Sequence, residues 1–166
     1  MDQDIRAIEA AVQSYLDGLY EGDADKLAGV FHPTSSLTCE ENGSLTPIRR
    51  DEWLKAVRER PSGKARGLPR HDHVLQIDLA TPTMAFVKLK CALPPIFFTD
   101  YLSFLKIDGK WQVAQKVFAR EQRPARVPLR RAQPGPYGLH FGVPYPCLIE
   151  SEPRRRRALR GVADRE

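Results

Sequence analysis

Cysteine is scarce in this chain. Among 166 residues there are three, Cys39, Cys91 and Cys147, odd in number and with no CxxC or other ligand spacing. That argues against a disulfide framework or a cysteine-built metal centre, and it fits small buried thiols in a reducing compartment better. No apolar run approaches the length that crosses a membrane, and the opening stretch MDQDIRAIEA is acidic where a secretory leader would be basic. The expectation is a cytoplasmic protein with no membrane partner.

An excess of one charge is missing from most of the chain. Residues 1–122 hold 16 Lys and Arg against 17 Asp and Glu, whereas 123–166 hold 10 against 4, so the net charge of +5 comes from the tail. The body therefore carries no electrostatic footprint for nucleic acid. The tail in turn lacks any helical or strand period, and seven of the fourteen prolines fall in 124–153. Residues 123–166 read as a largely disordered Pro/Arg-rich segment, with Tyr137, Leu139, Phe141 and Val143 as a possible arm and Arg154 to Asp164 as a possible short helix. Its Arg154–Arg157 run is the one feature that could meet an acidic partner or nucleic acid.

What is present in 1–122 is ordered patterning. Ile5, Ile8, Val12, Tyr15, Leu16 and Leu19 recur at helical spacing, Gly22 ends that helix, and Asp23 stands where an N-cap is wanted for a second helix running into His32-Pro33. Ser35 to Glu40 is a short strand, Asn42-Gly43 a turn into a second extended piece, and Arg50 to Arg60 a third helix stopped by Pro61. Arg70 to Ala80 and Met84 to Leu93 alternate as strands, with Ala85, Val87, Leu89 and Cys91 on one face. The stretch Phe97 to Phe118 is a hairpin about Asp108-Gly109, apolar on both faces, which requires cover on both sides. Three helices followed by a four-strand meander imply an α+β layer fold.

The hairpin's register decides which side chains meet. With a two-residue primed turn Lys116 falls opposite Tyr101, whereas with a bulged type I turn it falls opposite Asp100. The second register makes Asp100 and Lys116 a cross-strand ion pair, and it is the one preferred here.

The segments AVQSYLDGLYEGDADKLAGVFHP, IRRDEWLKAV, HVLQIDL and DYLSFLKIDGKWQVAQKVF, in this order, resemble the Putative lumazine-binding group of the nuclear transport factor two-like superfamily. The resemblance spans about residues 4–120. It implies a cone of curved antiparallel sheet wrapped around three N-terminal helices, a homodimer through the outer sheet face, and a pocket at the open end of the cone. The superfamily also holds ketosteroid isomerase, scytalone dehydratase and the SnoaL-like polyketide cyclases, as well as proteins without catalytic roles, so it does not fix a function.

A cone of this kind, lined by Tyr15, Phe31, Trp53, Leu75, Ile77 and Phe97, suits a flat, mainly apolar ligand. His32, His71, His73, Asp100 and Lys116 are the polar candidates. Asp100, His32 or His73 could remove a proton next to a carbonyl, and Tyr15 could hydrogen-bond the enolate oxygen. Each has a structural alternative: His32 as a helix-end bond, Asp100 and Lys116 as a rim ion pair, Tyr15 and Trp53 as core. His71 and His73 share a face, but no third metal ligand is placed by the sequence, so neither a metal nor another cofactor is expected. Two readings follow: a small-molecule pocket protein, binder or cofactor-independent isomerase, dehydratase or cyclase, and a non-catalytic dimeric interaction module with a basic tail.

Overall fold

The structure is a computed structural model that describes residues 2–123. The tail segments discussed above, and Cys147, lie outside the described residues. The element order is α1 (Asp2–Glu21), α2 (Ala24–Val30), β1 (Phe31–Glu41), β2 (Ser44–Arg49), α3 (Arg50–Glu59), β3 (His73–Thr81), β4 (Met84–Leu93), β5 (Ile96–Ile107) and β6 (Lys110–Gln122). The helix-then-meander order expected from the pattern is present. No helix among the described residues is long and apolar enough to cross a membrane.

Local chemistry sets the element ends. The Asp23 carboxylate accepts from the amides of Asp25 and Lys26 at 3.1 and 2.9 Å, satisfying two of the donors that open α2. The α1–α2 turn is tight because Gly18 lets the helices touch, since a Cβ there would lie 2.8 Å from the Leu27 side chain. The buried stripe Ile8, Val12, Tyr15 and Leu16 of α1 packs with Leu27 and Val30 of α2 and with Leu54 and Val57 of α3. These side chains meet Val87, Leu89, Leu102, Phe104 and Val113 on the inner face of the sheet.

The six strands form one sheet in the order β2-β1-β6-β5-β4-β3. Every contact is antiparallel except β1 with β6, which is parallel. The sheet is therefore mixed rather than wholly antiparallel, because β1, entering from α2, joins the free side of β6 in the same direction. β3 forms an edge, and a bulge between Val74 and Gln76 breaks its alternation, so Leu75 has no partner on β4 and lies half exposed.

The β5–β6 register corrects both alternatives considered for Lys116. Asp108 and Gly109 both have positive φ, 48° and 78°, the signature of a primed two-residue turn, so Ile107 pairs with Lys110. The bulge is not in the turn but further along. Phe104 pairs with Val113 and Ser103 with Gln115, and the extra residue, Ala114, reverses the parity of everything after it. Lys116 consequently faces Leu102, not Tyr101 or Asp100, and Phe118 faces Asp100. Trp111 and Val113 point inward before the bulge, Lys116 after it. The ion pair forms all the same, along the diagonal between two inward-facing neighbours.

Candidate functional site

Beneath the open end of the sheet three polar side chains from three elements converge in an otherwise apolar interior. Tyr15 comes from the buried stripe of α1, Asp100 from the inner face of β5, and Lys116 from β6 through the Ala114 bulge. The Tyr15 hydroxyl donates to Asp100 Oδ2 at 2.5 Å, and the Lys116 ammonium donates to the Tyr15 oxygen at 2.7 Å. Lys116 Nζ also pairs with Asp100 Oδ2 at 2.9 Å. The Cys91 thiol of β4 makes a long contact of 3.7 Å with the same oxygen. The ammonium therefore hydrogen-bonds the phenol oxygen and meets the carboxylate as an ion pair.

Burial at this cluster is nearly complete, with Asp100 and Tyr15 at 0% and Lys116 at 4% exposure. Asp100 Oδ1 is buried with no hydrogen-bond partner. Burial pushes the Tyr15 phenol well above its ordinary pKa, and the neighbouring Asp100 charge adds to the effect. The same two causes, in the same order, raise the Cys91 thiol, so it is protonated rather than nucleophilic. The Lys116 charge lies against aromatic faces, 4.7 Å from the Phe118 ring centre, 5.3 Å from Tyr15 and 5.9 Å from Phe98.

A cavity of about 220 Å³ opens directly on this cluster. Leu16, Leu37, Trp53, Phe98 and Phe118 supply apolar wall, Lys116 and Cys91 its polar floor, and Arg60, Asp72 and Arg120 its rim. Arg120 is paired with Glu41, and Asp72 with Arg70 at 2.6 Å. Arg60 has no carboxylate partner among the described residues, and its Nη2 is buried without a hydrogen bond. Burial holds its guanidinium below the usual arginine range.

The residues nominated from sequence are distributed between this cavity and other places. Trp53 and Lys116 line it, whereas Tyr15 and Asp100 lie under it and reach it through Lys116. Phe31 is wholly buried between Tyr15 and Trp53. His32 turns back on its own strand, with Nδ1 2.8 Å from the Thr34 hydroxyl. Ile77 packs on the core and Leu75 is half exposed. His71, His73 and Phe97 line a second, smaller hollow of about 170 Å³ with Lys90, Glu121 and Arg123. No group of three His, Cys, Asp or Glu residues among the described residues could hold a metal ion.

Sequence reasoning missed Arg60, Cys91, Phe98 and Phe118 as cavity residues. The parity of Cys91 with Val87 and Leu89 was an available signal. The apolar residues of β6 change parity between Val113 and Phe118, which marked the bulge, but Val117 on the other parity hid it.

The chain is similar to other proteins in sequence and in fold. In the curated aldolase FrzH of Cladobotryum sp., 114 aligned residues are 27% identical, covering 68% of this chain and 87% of that one. A crystal structure of an NTF2-like protein of unknown function from Shewanella baltica superposes with a TM-score of 0.65 at 20% identity, over 74% of this chain and 98% of that one. A ketosteroid isomerase-like protein from Erwinia carotovora atroseptica does so with a TM-score of 0.58 at 14% identity, over 74% and 100%. These two likenesses show the fold. The model of the family described as "Putative lumazine-binding" matches residues 3–119, the region that builds the helices, the sheet and the cavity, and this chain belongs to that family.

Proposed function

We propose that the chain binds a small, flat, mainly apolar carbonyl compound in the 220 Å³ cavity and promotes a cofactor-independent reaction that passes through an enolate or alkoxide. The observation that carries this reading is the Asp100–Tyr15–Lys116 cluster. A buried ion pair contributes less to stability than apolar side chains of the same volume, often by about 1–4 kcal/mol, so its presence under a cavity calls for a use. Lys116 is the member that lines the cavity, and its ammonium makes one hydrogen bond among the described residues, to Tyr15, which leaves donors for a ligand. Aimed at a ligand's carbonyl oxygen, the ammonium stabilises negative charge as it develops, in a mainly apolar cavity. Asp100 and Tyr15 are positioning residues: they hold the ammonium in one place, so little reorganisation is needed during reaction.

Polarising a carbonyl in this way acidifies the adjacent C–H, whose proton passes to a water or hydroxide entering from solvent, and that proton loss is a requirement shared by isomerisation, dehydration, cyclisation and aldol chemistry. The likeness to an aldolase supports this class without choosing among its members. The test is hydrogen–deuterium exchange at the α-carbon of phenylacetone in D2O, followed by proton NMR. The full chain is expected to accelerate exchange, and the apolar triple variant Tyr15→Phe, Asp100→Leu, Lys116→Met to lose about 10²–10³-fold of that acceleration. Exchange no faster than in buffer would remove the catalytic part of the reading and leave a binding protein.

A second reading, a dimeric interaction module, is favoured by the outer sheet face. Met84, Tyr101, Leu105 and Val117 are exposed there at 46, 37, 39 and 50%. Apolar groups this exposed on a sheet otherwise covered by helices suit a second copy of the chain.

A further inference from the structure

We infer that Arg60 is the anchor for a carboxylate on the ligand, which makes the substrate class a small aromatic keto acid rather than a neutral ketone. The inference rests on the cavity reading above and deepens it. Arg60 caps the end of α3, just before Pro61, and its side chain enters the cavity rim from the helix layer. Each of the other two cations lining this cavity already has a carboxylate: Lys116 has Asp100 at 2.9 Å, and Arg120 has Glu41. The rim acid Asp72 is committed to Arg70, which also holds Asp17 at 2.9 Å. Arg60 alone among these three is left without a counter-ion among the described residues, and its Nη2 is buried and unbonded.

That arrangement is costly in a ligand-free protein. Arg60 is half-buried, and its Nη2 gives up hydration with no protein acceptor in return. The guanidinium's planar fork matches a carboxylate through two parallel hydrogen bonds, a geometry that neither a ketone nor a hydroxyl can offer. The rest of the cavity sets the body of the ligand. An apolar cavity of about 150 Å³ holds a benzene ring, so one of about 220 Å³ holds a single ring with a short functional chain. Aromatic walls at Trp53, Phe98 and Phe118 suit that ring, Lys116 takes the carbonyl oxygen, and Arg60 takes the acid.

The experiment compares phenylpyruvate with phenylacetone, in which a methyl group replaces the carboxylate, by isothermal titration of the full chain. Wild-type protein is expected to bind the acid at least tenfold more tightly than the ketone. Arg60→Met is expected to abolish that preference and retain the ketone. Arg60→Lys, with the charge but not the fork, is expected to keep only part of the preference. Equal affinity of wild type for the two compounds, or a preference that survives Arg60→Met, would overturn the anchor while leaving the cavity reading intact. Failure of both compounds to bind wild type would overturn both.

Discussion

Lys116 illustrates how much depends on a single residue's direction. Its neighbours in sequence, Gln115 and Val117, point away from it, and only the bulge at Ala114 turns its amine under the cavity. Once there, it makes the Tyr15 hydroxyl a donor to Asp100 rather than an idle phenol. A protonated Tyr15 is part of the folded state, because burial raises its pKa well above the ordinary value near 10. The stability this confers is complete below about pH 10, where the unfolded chain's phenol is also protonated, and is lost as pH rises towards the native value. Urea midpoints at pH 9, 10 and 11 are expected to fall more steeply for wild type than for Tyr15→Phe. Parallel slopes would show that the phenol ionises in the native protein as freely as in the unfolded chain.

At the scale of elements, most of the architecture was legible. Helical spacing in Ile8, Val12, Tyr15 and Leu16, the Asp23 cap and the alternation of Ala85, Val87, Leu89 and Cys91 each reported a local physical requirement, and each element formed. The site was less legible, because it is made by relations between elements. The β5–β6 register depended on a bulge with no glycine to announce it. Arg60 looked like any charged residue at a helix end, and only the packing of α3 against the sheet makes its burial visible. Close packing of α1 on α2 has a direct consequence. Gly18→Ala places a methyl 2.8 Å from Leu27, against buried carbon, and is expected to cost about 1–3 kcal/mol in denaturant unfolding. A loss below about 0.5 kcal/mol, the range of ordinary surface substitutions, would mean that the helices separate without penalty.

For the molecule as a whole, the sheet divides two environments. Its inner face and the helices bury the core and end in a hollow with a charged floor, while its outer face keeps an apolar patch in view of solvent. If a second copy covers that patch, sedimentation of the full chain gives a dimer, and Tyr101→Lys with Val117→Lys gives a monomer of unchanged helix content. A wild-type monomer at micromolar concentration would assign the patch to another partner. The inner hollow is the more consequential feature. The account rests on the Lys116 ammonium donating to a bound carbonyl, and the carbonyl stretch of phenylacetone, labelled with 13C at the ketone and read by infrared difference spectroscopy, reports that contact directly. The folded Tyr15→Phe, Asp100→Leu, Lys116→Met variant supplies the comparison, since an apolar replacement of the whole cluster leaves no orphaned charge. A stretch moved to lower frequency in wild type and returned to its value in apolar solvent in the variant is the predicted result. An unshifted band, or the same shift in both proteins, would contradict the account.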